Sequence, residues 1–340
     1  MIEERYSRQI LFPPIGEAGQ EILRKKHVLI IGVGALGTQS AEMLTRAGIG
    51  QLTLVDRDYI EWSNLQRQYL FTEKDAEARL PKAIAAKRIL NEINRDVIIH
   101  AHVMDVTPTE LDELSEGVDL ILDATDNFDI RMMINDISQK KKLPWIYGSC
   151  VGSYGISYTI LPGETACLNC LLGSIPVGSE TCDTAGIIQP AAAQVVIHQT
   201  TEALKLLVGA RKELRKKLLS FDLWKNEFVQ MDIDSFKKDD CPSCGENPTY
   251  PYLTYDEQTK VAVLCGRESV QIRPPSMQAR NLSSIAKSLE KVGGQIEMND
   301  FLLSFTHEEG RMVLFRDGRA LIHGTNDSNY AKSLYHRYFS

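Results

Sequence analysis

The stretch from His27 to Gly37 constrains this chain most. His27-Val28-Leu29-Ile30-Ile31 is a near-continuous apolar run, the pattern of a strand covered on both faces, and it passes directly into Gly32-Val33-Gly34-Ala35-Leu36-Gly37. Glycines there let backbone amides approach a phosphate at a helix N-terminus, because a side chain would hold the ligand away. Gly37 to Ala47 reads as that helix, with Ala41, Leu44 and Ala47 at core-facing spacing and Gly48 and Gly50 ending it. The next strand, Gln51 to Val55, closes on Asp56. A carboxylate about 20 residues after the glycine loop suits a ribose hydroxyl, which fits NAD as well as ATP.

The alternation continues. Pro81 to Asn94 reads as an amphipathic helix with Ile84, Ile89, Leu90 and Ile93 on one face and proline in its first turn. Val97 to His102 and Leu120 to Asp123 read as strands, Asp129 to Lys140 as a helix, and Trp145 to Ser149 as extended. The expected fold is α/β: a doubly wound, largely parallel, Rossmann-like sheet whose ligand sits at the carboxyl ends of the strands. Residues 1–26 are polar, in two short helical pieces broken at Pro13-Pro14, and read as an N-terminal arm. The main domain runs over 27–249. It contains a Gly-, Ser- and Pro-rich crossover loop at about 173–190, then a long helix from Ala191 to about Gly209 whose solvated end takes in Arg211 to Lys217. A linker from Gly245 to Pro251 leads into a small α+β domain over 250–340, whose role stays open.

Composition narrows the function. With 340 residues and 43% hydrophobic content the chain can bury a full core, and a net charge of -7 argues against broad nucleic-acid or anionic-membrane binding, which needs a concentrated positive face. The first residues, Met1-Ile2-Glu3-Glu4-Arg5, are not a charged segment with an apolar run behind it, and no apolar stretch approaches the roughly 18 residues of a membrane helix. A cytoplasmic location is expected. Seven cysteines would leave one unpaired in an all-disulfide scheme, and a reducing compartment favours metal binding by the CxxC pairs Cys167/Cys170 and Cys241/Cys244. Four thiolates make a closed tetrahedral site, so a structural Zn²⁺ is expected, tying two places separated by the 70 residues between Cys170 and Cys241.

The readings part after Asp56. A dehydrogenase goes from its ribose acid into a helix, whereas here Asn64 and Arg67 follow at a spacing that can return them to the nucleotide. Arg67 would bind phosphate oxygens bidentately, and Lys82, beside Pro81, would add a second charge unless it is an ordinary exposed lysine. Asp126, after the Leu120–Asp123 strand, could hold Mg²⁺, and Asp126 or Asn127 lies where the next helix needs an N-cap. Cys150 reads as buried structure after a strand, and Cys265 as structural because Glu268-Ser269-Val270 is strand-like.

Arg5-Tyr6-Ser7-Arg8-Gln9, the glycine loop, Ser63-Asn64-Leu65-Gln66-Arg67-Gln68, Pro81-Lys82, Ala124-Thr125-Asp126-Asn127 and the four cysteines together resemble the ubiquitin-activating-enzyme superfamily, most closely its bacterial ThiF/MoeB/HesA group, over about residues 3 to 245. The resemblance implies an enzyme that uses ATP to adenylate the C-terminal glycine carboxylate of a small ubiquitin-fold sulfur-carrier protein ending in Gly-Gly, releasing pyrophosphate, in thiamine or molybdopterin synthesis. It places Gly34 and Ala35 against the nucleotide, Asp56 on the ribose, and Asn64, Arg67 and Lys82 on the triphosphate; Gly32, Gly37, Asp58 and Ser63 belong to the same binding set. Asp126 would serve Mg²⁺ with Asn127 beside it. Arg8 matches an arginine that reaches into the partner's site, so a homodimer is implied. Ala35 stands where members often have a third glycine. Cys182 matches the cysteine that links to the carrier in some members and is dispensable in others. Competing readings are a same-fold enzyme acting on another carboxylate or a tRNA base, a scaffold without activity, and an NAD-dependent oxidoreductase. The last would leave Arg67, Lys82 and Asp126 unexplained.

Overall fold

In the computed structural model, residues 2–172, 185–254, 260–264, 268–274 and 279–339 are described, and they fall into two compact units. The first covers 2–172 and 186–254; the second holds the described residues from 260 onward.

The first unit carries one eight-stranded sheet. Its parallel half, in the order β3-β2-β1-β4-β5, is made of Ile98–Val103, Gln51–Asp56, His27–Ile31, Leu120–Asp123 and Trp145–Val151. An antiparallel extension follows: β6 (Tyr154–Ile160), β7 (Leu218–Asp222) and β8 (Glu227–Met231). The parallel half matches the expected elements to within a few residues. The antiparallel half is not legible in the sequence, because β6 and β7 mix polar and apolar residues and every residue of β8 is exposed, so no period-2 alternation marks them.

Strand alternation explains why both faces are covered. Val28 and Ile30 of β1 join one apolar cluster with Ala41 and Leu44 of α3 (Ala35–Ala47), Ala86 and Leu90 of α5 (Lys82–Ile93) and Ala203 of α9 (Gln189–Leu207). Leu29 and Ile31 join a second cluster with Leu111 of α6 (Pro108–Leu114) and Ile134 and Ile137 of α7 (Phe128–Lys141). Side chains of this kind each contribute about 1.5–3 kcal/mol when fully buried, so β1 is held from both sides. Register does the rest: Ile31 lies beside both Val55 of β2 and Asp123 of β4. Three chain segments, the glycine loop, the turn at Asp56 and the loop after Asp123, therefore leave the sheet side by side.

The N-terminal segment is docked rather than loose. Tyr6 of α1 (Ile2–Ile10) and Leu23 of α2 (Gly16–Leu23) are buried, and Gln9 and Gln20 both donate to Ala47 O, at 2.9 and 3.0 Å, satisfying a carbonyl at the end of α3. Gly48, at φ +79, ends α3 where a Cβ would stand 2.5 Å from the Tyr6 ring.

The basic run is a correction. The long helix ends at Leu207, and Arg211–Glu213 is a separate 3-10 turn after Gly209, whose φ of +81 breaks the helix. Arg211 pairs with Glu164 at 2.5 Å, while Arg215 donates to Ser157 Oγ at 3.1 Å and its N–H reaches the buried Glu202 at 2.8 Å. Cys150 differs too: it lies inside β5 and is half-buried. Cys182 and Cys265 lie outside the described residues.

The second unit is a six-stranded sheet, order β11-β12-β13-β14-β10-β9, antiparallel at every pairing. Its strands are Lys260–Leu264 (β9), Ser269–Arg273 (β10), Gln295–Met298 (β11), Leu302–His307 (β12), Gly310–Phe315 (β13) and Ala320–His323 (β14). Val270, Ile272, Phe305 and Ile322 on one face pack with Leu289 and Phe339 from the helices Leu282–Leu289 and Ser328–Phe339.

Candidate active site

The three loop glycines serve different ends. Gly32 has φ +91, and a Cβ there would stand 2.4 Å from Ala124 O; a Cβ on Gly37 would stand 2.0 Å from Gly32 O. Both are demanded by packing. Gly34 is not: a Cβ there would meet nothing nearer than Gln68 Nε2 at 3.8 Å. It is the N-cap of α3 and offers no side chain to the first-turn amides, which leaves that end of the helix available to an anion. Ala35 begins the helix behind it.

Asp56 is tied into this loop. Its carboxylate accepts from Val33 N at 2.6 Å and Asp58 N at 2.7 Å. Burial pushes its carboxyl up from the usual range and Lys82 pulls it back down. Lys82 is not an ordinary exposed lysine. It is 3% exposed, it opens α5, and its Nζ stands 3.4 Å from Asp58 Oδ2 while its N–H donates to Asp58 O at 3.0 Å. A cation at a helix N-terminus faces the positive end of the dipole, and burial adds a desolvation cost, so the neighbouring Asp58 is what keeps it there.

The segment 61–68 folds as a short 3-10 turn. Asn64 is buried and its Oδ1 accepts from Glu61 N at 3.1 Å. Ser63 is exposed, and half-buried Arg67 donates to its carbonyl at 2.8 Å, so Arg67 lies folded on its own turn. Gln68 is 4% exposed and brings this turn against Gly34.

After β4, the fully buried Asp123 accepts from Thr125 N and Oγ1 at 3.0 and 2.7 Å and from Arg131 Nε at 3.0 Å. Burial pushes the Asp123 carboxyl up, against the pull of Arg131. Arg131 also donates to Thr125 O at 2.5 Å and lies 5.4 Å from the Tyr147 ring, so it braces this loop between β4, α7 and β5. Asn127 is the N-cap of α7, accepting from Asp129 N at 2.8 Å. Asp126 is exposed and not the cap.

The structure thus gathers Gly34, Asp56, Asp58, Asn64, Arg67 and Lys82 on contiguous turns, with Asp126 on the neighbouring one. Arg8 stays apart. Its helix is docked on the C-terminal end of α3, at Ala47, about 20 Å along the helix from Gly34 at 1.5 Å per residue, and Arg8 is exposed. Sequence reasoning passed over Arg57, Asp105, Gln68 and Arg131. The Asp56-Arg57-Asp58 alternation, and an acid two residues beyond β3, were the available signals.

The four cysteines form a separate centre. Cys167 Sγ lies 3.8 Å from that of Cys170 and 3.7 Å from that of Cys241, Cys170 Sγ lies 3.5 Å from that of Cys244, and all four sulfurs fall within 4.8 Å of one another. A tetrahedral ion with metal–sulfur bonds of about 2.3 Å requires sulfur separations of about 3.8 Å, so the donor set fits. Cys167, then Cys244, donate toward Cys170 and hold its thiol well below the ordinary range. Gly245 closes the second knuckle where a Cβ would stand 2.3 Å from Asp239 O.

Among the described residues no helix is long and apolar enough to cross a membrane. Comparison with known proteins matches residues 6–243 to the ThiF family. The chain is 53% identical over 334 residues to the sulfur carrier protein ThiS adenylyltransferase of Bacillus subtilis (strain 168), covering 98% of each chain. It is 35% identical over 249 residues to the protein of the same name from Escherichia coli (strain K12), covering 73% of this chain and 97% of that one. Among solved structures, E. coli MccB with MccA-N7isoASN shares the fold with a TM-score of 0.62 at 23% identity, over 71% of this chain and 75% of that one.

Proposed function

This chain belongs to the ThiF family, and from that premise we propose that it is a cytoplasmic ATP-dependent adenylyltransferase acting on the C-terminal glycine of a small ubiquitin-fold sulfur carrier of the ThiS type, in thiamine or molybdopterin synthesis. The observation that carries the reading is Lys82. A buried ammonium kept at a helix N-terminus by Asp58, on the turn next to an open glycine loop, supplies what a triphosphate needs and a nicotinamide does not.

A carboxylate is a poor electrophile, and the reaction makes it reactive. A carboxylate oxygen attacks the α-phosphorus, the bond to the bridging oxygen breaks, and pyrophosphate leaves, giving an acyl-adenylate. The protein contributes position and charge, so no general base is required. The open backbone at Gly34 and Ala35 receives phosphate. Each Asp56 oxygen accepts one backbone N–H, and a carboxylate has about four acceptor positions, so it retains capacity for the ribose. Asn64 and Lys82 hold the triphosphate with Ser63 at the rim, and Arg67 joins them on leaving the Ser63 carbonyl. Asp126, exposed and not spent as a cap, is the group for Mg²⁺, with Asn127 beside it; the ion, when bound, neutralises charge on the phosphate oxygens.

Arg8 lies too far from its own glycine loop to act there, which supports a homodimer in which it serves the partner's site. The four cysteines hold a structural Zn²⁺. Cys182, outside the described residues, either links covalently to the activated carrier or is dispensable; the first option assigns it sulfur transfer and leaves adenylation to the other groups. The second unit is not needed for adenylation, because the E. coli relative is matched over 97% of its length by 73% of this chain.

The test is ATP–pyrophosphate exchange. It should be Mg²⁺-dependent and should require a small protein ending in Gly-Gly. Exchange at the same rate without such a protein would remove the reading.

A further inference from the structure

The reaction gives Arg57 nothing to do, yet the fold invests in it. Its side chain is 14% exposed, its Nη1 lies 3.3 Å from Asp105 Oδ1, and its Nε lies 3.9 Å from Asp58 Oδ1. Asp58 follows β2 and Asp105 follows β3, so one guanidinium ties together two strand ends at the rim of the nucleotide pocket. Asp126, after β4, acts electrostatically on the same guanidinium. Burial works against the charge on Arg57, but Asp58, then Asp105, Asp126 and Asp56, lift it above its ordinary value, which places all four carboxylates in its field. Four acids, Asp56, Asp58, Asp105 and Asp126, thus act on Arg57, with Lys82 beside Asp56 and Asp58 and Arg131 beside Asp126.

The oxygens of Asp58, Asp105 and Asp126 are the donors a hard divalent cation selects. Among the described residues, however, only the four cysteines stand close enough together to share an ion. The guanidinium stands between Asp58 and Asp105 and feels the charge of Asp126 as well. A dication entering beside it would meet a fixed positive charge in a partly desolvated site, where such repulsion is strong. A triphosphate would bring the negative charge that reverses this balance.

We propose that Arg57 is a positioning residue that stands in for the divalent cation in the empty pocket, so that metal enters only together with the nucleotide. The inference rests on the ATP-dependent reading above and deepens it: it assigns the order in which the site fills.

The test is Mn²⁺ binding to the full-length, zinc-loaded protein, followed by electron paramagnetic resonance, with and without ATP and with no carrier present. The wild type should bind Mn²⁺ tightly only with ATP. Arg57→Met and Arg57→Gln should raise nucleotide-free Mn²⁺ affinity by roughly tenfold or more. Arg57→Lys should keep the wild-type pattern, and adding Asp126→Asn to Arg57→Met should cancel the gain. Folded Arg57→Met and Arg57→Gln proteins with no gain would overturn the proposal. So would wild-type protein that binds Mn²⁺ as tightly without ATP as with it, a measurement that needs no variant. Because no carrier is used, these outcomes are separate from the exchange assay: protein that binds Mn²⁺ with ATP but ignores a Gly-Gly partner would remove the carrier assignment and leave Arg57 in place.

Discussion

At the carboxyl ends of β1, β2 and β4 the chain keeps charge within reach of a ligand: Asp126 exposed, Arg67 folded on its own turn, Lys82 buried with its Nζ 3.4 Å from Asp58 and acting on Asp56. At Cys167, Cys170, Cys241 and Cys244 the opposite is done, with three of the four side chains buried and every sulfur facing another. Both clusters would fail as plain packing. The first leaves polar capacity open on one side, which suits groups that exchange partners during turnover. The second closes on itself, which suits an ion that arrives once and stays.

The sharpest way to break this contrast is to remove the metal. Cys241→Ser or zinc stripping should destabilise the first unit by on the order of 10 kcal/mol in apparent terms, with activity lost only as the fold is lost. Metal analysis of freshly reduced protein should find one zinc per chain, and a zinc-free protein with unchanged melting would undo the assignment. The converse is expected at the pocket: Asp126→Ala should lower exchange by roughly 10²–10³-fold, a typical loss for a group that stabilises transition-state charge, while thermal melting stays at the wild-type value.

The glycine loop carries both behaviours within a few residues. Gly37→Ala forces a methyl against Gly32 O and should cost about 1–3 kcal/mol in chemical denaturation. Gly34→Ala meets only Gln68 Nε2, at an ordinary contact distance of 3.8 Å, and should leave stability alone while raising the KM for ATP. Equal stability losses for the two would show that the loop is packing throughout.

Two smaller effects separate the roles within the site. Arg8→Ala and Arg67→Ala, each inactive alone, should regain about a quarter of wild-type exchange when mixed and allowed to reassort, since half the dimers are then mixed and each has one intact site. No recovery would place Arg8 outside the partner's pocket. Cys182→Ala should leave exchange unchanged and affect sulfur transfer alone; a loss of exchange would make that thiol part of adenylation.

Local pattern made the parallel half of the first sheet legible, because a both-face-covered strand writes a continuous apolar run and each helix carries its own periodicity and stops. The antiparallel half stayed hidden. β6 and β7 mix polar and apolar residues, and every β8 residue is exposed, so alternation is weak. The basic run at 211–217 misled for a related reason: charge density suggests a solvated helix end, but a positive-φ Gly209 and the buried Glu202, which accepts from the Arg215 backbone N–H, decide the path of the chain there.

By itself the sequence determined which groups could meet: the glycine loop, Asp56, Arg67, Lys82, Asp126 and the paired cysteines are short-range signals, written by what a strand end, a helix start or a knuckle requires. Only the tertiary structure decided that Lys82 is buried, that Asn127 is the helix cap and leaves Asp126 exposed, that Arg8 is anchored at the far end of α3, and that Arg57 lies between Asp58 and Asp105. Those outcomes depend on strand register and on charges brought together across dozens of residues, and electrostatic energy is set by distance in space, which spacing along a chain does not specify.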